Sequence, residues 1–188
     1  MASMEEKEEI YSVWALPPEE QGVGRRLKDL MSSLRSEFDA PDFEPHITVV
    51  SCFRQTRSEA LRRFQASCLD LKPYTAGVTG IDRGTFFYQC VFLLIDPTDE
   101  VVETSNRCCA HQDLESNAEY MPHLSLLYGD LSEEEKKRAV EMVGGFEKSI
   151  VGLRFEVVEL GLYKVDLDDK TLKSWVKIAS CDLRSPSA

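Results

Sequence analysis

The chain has 188 residues, of which 43% are hydrophobic and 29% are charged, and this ordinary globular composition excludes wholesale disorder. Asp and Glu outnumber Lys and Arg by 33 to 22, so the formal net charge is −11. This charge argues against tight binding to duplex nucleic acid, because such binding depends on cationic contacts to phosphates. The longest fully apolar run, at 90–95, is far shorter than the ~20 residues of a membrane span, and the length favours one domain.

The first ten residues, MASMEEKEEI, are acidic and contain no apolar core, so they do not resemble a secretory signal. We therefore expect a cytoplasmic protein whose six cysteines are thiols by default. Cys52 and Cys90 fall on predicted strands and are interpreted as small buried residues. A redox-linked pair of Cys68 with Cys181 is compatible with the sequence, which cannot decide it.

The first half of the chain predicts the order strand, helix, strand, helix, strand. Apolar residues recur at helical spacing between Leu27 and Leu34, which marks the buried stripe of the first helix. Thr56 and Glu59 form a capping box that starts the second helix. The predicted elements are a strand over 11–16, a helix over 17–38, a strand over 46–52, a helix that follows Thr56, and a strand over 74–82 that ends in a turn at 83–84.

The second half predicts the same order again, and its capping box, Ser132 with Glu135, lies 76 residues after the first. The predicted elements are strands over 86–95, 123–128 and 155–166, helices over 96–111 and after Ser132, and a last strand over 171–180. The near-constant offset indicates a duplicated unit with approximate repeats 10–84 and 85–166. We therefore predict a single α+β domain over 1–188, with two lobes that face each other about a pseudo-twofold axis. The tail at 184–188 has no pattern and is expected to be disordered.

One short motif occurs once in each half, as PHITVV and as PHLSLL. It places two of the three histidines, His46 and His123, and two hydroxyls, Thr48 and Ser125, at the same offset of 77 residues. On a strand, residues i and i+2 point to the same face. Each histidine therefore lies beside its hydroxyl, while the aliphatic residues between them point into the core. If the two strands meet at the pseudo-twofold axis, all four polar side chains converge on one cleft.

These four groups suit the hydrolysis of a phosphate ester. Two imidazoles with pKa values near 6.5 can act as base and acid at neutral pH. One would take a proton from the attacking water and the other would protonate the leaving oxygen. The hydroxyls of Thr48 and Ser125 and an imidazolium would stabilise the charge that develops on the phosphate oxygens. The sequence does not assign the base and the acid between His46 and His123.

No metal or cofactor is needed for this chemistry, and none is expected. Cys108, Cys109 and His111 are fewer than the four ligands that a structural zinc site requires, and no partner cluster completes them. The phosphate-ester chemistry and the composition fit a small-molecule partner, not a stably bound nucleic acid or a membrane. We expect the protein to act as a monomer.

The paired motifs resemble those of the two-histidine (2H) phosphoesterase superfamily. The stretches YSVWALPPE, SEFDAPDFEPHITV, GTFFYQCVFLL and YMPHLSLLYGDLSEEEKK are similar to plant-type cyclic phosphodiesterases, over about 11–183. The resemblance implies a bilobal fold in which antiparallel sheets line a central cleft and helices lie outside. It also implies that His46 and His123 are the catalytic pair and that Thr48 and Ser125 bind phosphate.

The resemblance further implies hydrolysis of ADP-ribose 1″,2″-cyclic phosphate to ADP-ribose 1″-phosphate, downstream of tRNA splicing. Nucleoside 2′,3′-cyclic phosphates would be opened to 2′-phosphates. Tyr128, three residues after Ser125, would add a contact at the cleft. Trp14 matches the tryptophan on the first strand of such enzymes and would stack on a base, although a place in the core is an equally good interpretation.

Two other functions are compatible with the motifs. Within the same superfamily, the alternative is an RNA-end 2′,3′-cyclic phosphodiesterase or an enzyme like the 2′–5′ RNA ligases. The acidic composition disfavours it, because long RNA needs a basic track. The other alternative is a non-catalytic nucleotide-binding module, which would not need two titratable groups.

Overall fold

The order of strands and helices follows the predicted order through most of the chain. The protein is represented by a computed structural model that describes residues 5–184, so the predicted tail lies outside the described residues except for Arg184. The elements are β1 (Glu8–Leu16), α1 (Val23–Phe38), β2 (Ile47–Thr56), α2 (Arg57–Leu69), β3 (Tyr74–Phe86), β4 (Gln89–Ile95), α3 (Asp99–His111), β5 (His123–Leu127), α4 (Glu133–Phe146), β6 (Arg154–Val157), β7 (Glu159–Lys164) and β8 (Val176–Asp182).

Both predicted capping boxes lie at helix starts. The Thr56 hydroxyl accepts the backbone N–H of Glu59 at the start of α2, and Ser132 makes the full reciprocal box with Glu135 at the start of α4. The first helix begins six residues later than predicted, at Val23. Gly22 has a φ of 73°, a left-handed conformation that separates α1 from the short 3₁₀ turn before it.

All eight strands form one antiparallel sheet in the order β6-β3-β4-β5-β2-β1-β7-β8. We define the first lobe as β2, β1, β7 and β8, and the second lobe as β5, β4, β3 and β6. The lobes meet where β2 pairs with β5, at Ile47 opposite Leu124. The predicted boundary between the repeats falls inside β3, which is a strand of the first half that pairs with β4 in the second lobe. The division of the chain into repeats therefore stays a prediction.

The strand predicted over 155–166 is two strands. β6 pairs with β3 in the second lobe, whereas β7 pairs with β1 in the first lobe, and only Val158 separates them. A single residue spans at most about 3.6 Å, so the two ends of the sheet must approach each other and the sheet must curl. The pattern of this segment correctly indicates extended backbone, but it contains no information about which neighbour each part takes.

Several other boundaries differ from the prediction, and two of them involve the turn and the loop beside the cleft. The β3–β4 turn lies at Phe87 and Tyr88 rather than at 83–84, because β3 continues to Phe86. Gly84 is needed within the strand: a Cβ there would lie 2.1 Å from the carbonyl oxygen of Gln89. The last strand begins at Val176 rather than at residue 171.

The loop before β8 has an internal anchor. The Asp169 carboxylate accepts hydrogen bonds from the backbone N–H and hydroxyl groups of both Thr171 and Ser174. These bonds satisfy the backbone locally and leave it unavailable for a sheet ladder, which explains the late start of β8. The loop ends in Trp175, a residue that lines the cleft described below.

The helices cover one face of the sheet and leave the other face open to the cleft. Tyr11, Val13 and Ala15 on β1 belong to the main core, together with the stripe of α1 from Leu27 to Leu34. Trp14 points the other way and belongs to a second, smaller cluster. This alternation is the consequence of the two-residue period of a strand. No helix among residues 5–184 has the length and apolarity to cross a lipid bilayer.

The cysteines divide into three environments. Cys68 of α2 and Cys181 of β8 form a disulfide, so the default expectation of thiols is wrong for this pair. Cys90 is buried as predicted, and burial raises the pKa of its thiol. The prediction of a buried Cys52 is wrong, because the residue is exposed and lines the cleft.

Candidate active site

The two motifs lie side by side where the lobes meet. The pairing of Ile47 with Leu124 is antiparallel, so the same register places Thr48 opposite His123 and Ser125 opposite His46. Directly opposed Cβ atoms are about 4.5–5.5 Å apart, and diagonal positions about 7–8 Å. All four residues line one cleft, which has a volume of about 350 Å³. The structure therefore brings together the four side chains that the sequence predicted to converge.

Both imidazole rings are oriented by the same local hydrogen bond. Nδ1 of His46 lies 2.7 Å from the carbonyl oxygen of Glu44, and Nδ1 of His123 lies 2.9 Å from the carbonyl oxygen of Met121. A carbonyl can only accept, so Nδ1 carries the hydrogen in both rings. In the neutral rings Nε2 is then the free acceptor, as proton transfer at the cleft requires.

The surroundings of the two rings differ. His46 is 4% exposed, and burial lowers its pKa from 6.5 to about 4, with a smaller contribution from the charge of His123. His123 is only partly buried, and burial lowers its pKa as well. Both rings are therefore neutral at pH 7 in the free protein. An anionic ligand in the cleft would favour the charged forms and raise both pKa values.

Aromatic rings flank both histidines, but with different geometry. The Trp14 indole is stacked on His46 with centroids 3.6 Å apart, and its other face is stacked on Tyr163 at 3.8 Å. Phe92 contacts His123 at 5.0 Å with a tilt of 59°. Because both faces of Trp14 are covered, a base cannot stack on it, and its contact with His46 favours a role in holding that ring.

The two hydroxyls differ in their surroundings. The Thr48 side chain has no hydrogen-bond partner among the described residues, and the Ser125 hydroxyl lies beside the phenol of Tyr128. Tyr128 is 4% exposed and stacks on Phe43 at 3.9 Å, and burial raises its pKa. The phenol thus stays protonated and can donate a hydrogen bond next to Ser125.

The cleft contains further groups beside the six predicted site residues. Trp175 and Tyr88 stack at 5.7 Å near its mouth, where Phe86 is 56% exposed. Gln89 and Asn117 add amide groups. No sequence signal indicates Phe92 or Trp175, because Phe92 lies opposite Ser125 only once β4 pairs with β5, and Trp175 is contributed by a loop.

The described lining of the cleft contains no Lys, Arg, Asp or Glu side chain. Polar contacts to a ligand therefore come from imidazole, hydroxyl, phenol and amide groups. Within residues 5–184, no cluster of three or more His, Cys, Asp or Glu side chains is arranged to hold a metal ion. A phosphate bound here would be held by neutral donors and by whichever imidazole carries a proton.

The comparisons with known proteins assign the family. Residues 10–183 match the family model described as cyclic phosphodiesterase-like protein, and the chain belongs to this family. It is 49% identical to a cyclic phosphodiesterase of Arabidopsis thaliana, over 96% of this chain and 99% of that protein. It is 24% identical to a 2′,3′-cyclic-nucleotide 3′-phosphodiesterase of Yarrowia lipolytica, over 71% of this chain and 63% of that protein. The predicted enzyme class, a cyclic phosphodiesterase, is confirmed.

Solved structures confirm the fold. Escherichia coli LigT in its apo form matches with a TM-score of 0.62 at 9% identity, covering 95% of this chain and 99% of that chain. The protein TT0787 of Thermus thermophilus matches with a TM-score of 0.63 at 14% identity, covering 93% of this chain and 98% of that chain. The predicted α+β fold, in which antiparallel strands line a cleft and helices lie outside, is thus correct. The roles of the individual site residues stay predictions.

Proposed function

We propose that this protein hydrolyses small cyclic phosphodiesters by acid–base catalysis with His46 and His123. The observation that carries the proposal is the convergence of two imidazoles in the same tautomer, and two hydroxyls, on one cleft without other titrating cations or carboxylates. Membership of the cyclic phosphodiesterase-like family supports the reaction class. A binding module would have no use for two oriented, free Nε2 atoms.

The proposed step consumes one water molecule. Nε2 of one neutral imidazole takes a proton from the water as its oxygen attacks phosphorus. The bond from phosphorus to one ring oxygen of the cyclic phosphate breaks, and the second histidine, as imidazolium, gives its Nε2 proton to that leaving oxygen. The proton count is balanced, and the pair returns to its starting state after a proton passes between the imidazoles through solvent.

The remaining polar groups act on the non-bridging oxygens. Thr48 and Ser125 donate hydrogen bonds there, and Tyr128 adds a phenol beside Ser125. Fixed donors of this kind stabilise charge that develops in the transition state. No step is routed through a metal or a cofactor, so hydrolysis is expected to persist in a strong chelator.

We propose two substrate classes, ADP-ribose 1″,2″-cyclic phosphate, downstream of tRNA splicing, and nucleoside 2′,3′-cyclic phosphates. The aromatic rings at the mouth, exposed Phe86 and half-buried Tyr88 and Trp175, offer surface for a base. An RNA-end activity is less favoured, because the net charge of −11 gives no basic track for a long strand. We further propose a monomer in the cytoplasm.

The test is incubation of the protein with each cyclic substrate, followed by phosphorus NMR of the product. The expected products are ADP-ribose 1″-phosphate and the nucleoside 2′-phosphate. A short RNA with a 2′,3′-cyclic end, assayed in parallel, measures the RNA-end activity. The absence of hydrolysis of both small substrates would contradict the proposal, and faster turnover of the RNA would replace it with the RNA-end function.

A further inference from the structure

One histidine of the pair is held by groups that the reaction itself does not use. On the far side of Trp14 from His46, the Tyr163 ring completes a stack of three aromatic rings. The Tyr163 hydroxyl donates to a carboxylate oxygen of Glu44 at 2.6 Å. The backbone carbonyl of this same residue, Glu44, accepts the Nδ1 hydrogen of His46. The contacts form a closed loop that begins and ends at the His46 ring.

The strand geometry makes room for this arrangement. Gly161 lies directly opposite Trp14 where β7 pairs with β1. A Cβ at Gly161 would lie 2.6 Å from an edge carbon of the Tyr163 ring. The missing side chain therefore lets the Tyr163 ring fold back over residue 161 and reach the indole of Trp14. Trp14 is fixed in its turn, because its indole N–H donates to the Ser12 hydroxyl at 3.1 Å.

The hydrogen bond from Tyr163 to Glu44 fixes the orientation of the Tyr163 ring in this stack. Tyr163 is 4% exposed, and burial together with the Glu44 carboxylate raises its pKa, so the phenol stays protonated and keeps donating. The bond ties the side chain of Glu44 to β7, although the residue itself is exposed and lies in the loop before β2. Without this tie, the backbone at Glu44 has fewer restraints, and so has the carbonyl that defines the His46 tautomer.

We infer that Tyr163 and Glu44 act as positioning residues that fix the ring orientation and tautomer of His46. We call Glu44, Tyr163 and Trp14 the His46 clamp. The expected effect of the clamp on kcat rests on the proposed function, whereas its effect on the orientation and tautomer of His46 does not. In the part of the chain that the structure describes, the equivalent ring on the other side, His123, has only its own backbone acceptor and the tilted contact with Phe92. The clamp should therefore affect one histidine and leave its counterpart unchanged.

The test combines nitrogen NMR of the free protein with steady-state kinetics on a 2′,3′-cyclic mononucleotide. Tyr163→Phe keeps the ring and removes only the hydroxyl. We expect a smaller Nδ1–H population for His46, unchanged signals for His123, and a kcat lowered roughly tenfold, since small misplacements of a catalytic group cost up to about a hundredfold. KM should change little, because Thr48 and Ser125 are untouched.

Further variants separate positioning from general damage. Glu44→Gln keeps an acceptor for the Tyr163 hydroxyl and is expected to retain kcat, whereas Glu44→Ala should match Tyr163→Phe. The double variant Glu44→Ala with Tyr163→Phe should be no worse than either single one, because both remove the same bond. Tyr11→Phe is the matched control: it removes a bond from a phenol to the Glu9 carboxylate, on the core face of β1.

The outcomes distinguish a failure of the clamp from a failure of the proposed function. An unchanged His46 tautomer in Tyr163→Phe would overturn the clamp, and so would a changed tautomer with an unchanged kcat in a protein that His46→Ala inactivates. Loss of kcat that Tyr11→Phe reproduces would also overturn it, since the effect would then be a general one. Full activity in His46→Ala would instead contradict the proposed function, while the tautomer measurement on the free protein would still decide whether the clamp exists.

Discussion

The surroundings of His46 and His123 differ much more than their motifs do. Each ring follows a proline, donates from Nδ1 to the carbonyl two residues earlier, and lies two positions before a hydroxyl on the same face. Around this shared arrangement, His46 is buried under the indole of Trp14, whereas His123 is only partly buried. Local sequence thus gives the two rings one tautomer, and tertiary packing gives them different electrostatics.

The difference in burial affects the proton affinities of the two rings. Burial lowers the pKa of His46 to about 4, and it also lowers the pKa of His123, which is less deeply buried. Burial therefore disfavours a proton on His46 more than on His123. Pairs of titratable groups whose environments separate their pKa values are typical of acid–base sites. A duplicated motif can in this way supply one protonated and one unprotonated ring at the same pH.

The largest expected effect is the loss of either ring. His46→Ala and His123→Ala should each lower kcat/KM by about 10²–10⁴, the range for removal of a general acid or base. Steady-state hydrolysis of a 2′,3′-cyclic mononucleotide measures it. His111→Ala is the control, since that ring pairs with Asp70 away from the cleft. Normal turnover in His46→Ala or in His123→Ala would mean that the ring removed in that variant is not catalytic.

Loss of a hydroxyl should have the next largest effect. Thr48→Ala and Ser125→Ala should each lower kcat by roughly 10²-fold, as for the removal of one oxyanion donor. Thr48→Ser and Ser125→Thr keep the donor and should retain most of the activity. Because the two hydroxyls lie at equivalent places, we expect similar losses from the two alanine variants. A change in KM alone would assign them to ground-state binding.

Sequence reasoning is most successful where function depends on local periodicity. The two-residue period of a strand suffices to place His46 beside Thr48 and His123 beside Ser125, and capping boxes mark two helix starts correctly. It is least successful where the answer depends on long-range pairing. The segment that contains β6 and β7 looks like one strand, yet its two parts pair in different lobes. No local pattern carries that information.

The same distinction applies to individual site residues. The sequence singles out Trp14, but the role of this residue depends on Tyr163, which lies 149 positions later in the chain and reaches the indole only because residue 161 is a glycine. Trp175 reaches the cleft from a loop held by Asp169. Such contacts join residues that are far apart in sequence, and a single sequence gives no signal for them.

Burial of neutral His46 should make stability depend on pH. The ring has a pKa of about 4 in the folded protein and about 6.5 when unfolded, so the unfolded chain binds more protons between these values. The contribution of the neutral His46 ring to the free energy of unfolding is therefore complete above pH 6.5 and is lost as the pH falls towards 4. Its size is about 3 kcal/mol. Urea unfolding at several pH values measures it.

The matched variant for this measurement is His46→Asn, which cannot titrate. Between pH 7 and 4 it should lose less stability than the wild type does, by up to the same ~3 kcal/mol. His111→Asn, altered at the histidine outside the cleft, should follow the wild type. Parallel losses in His46→Asn and the wild type would contradict the low pKa assigned to His46.

The smallest effect is a shift in the pH profile. The pH dependence of kcat/KM reports the free protein, where both pKa values lie below 6.5, so the bell-shaped curve should have its maximum on the acidic side of pH 6.5. Trp14→Leu uncovers one face of His46 and should raise its pKa, which moves the acidic limb to higher pH. Phe92→Leu alters the His123 side and should move the other limb instead. If both variants shifted the same limb of the pH profile, the two rings would titrate as one coupled pair. The pKa values could then not be assigned separately to a buried and a partly buried histidine.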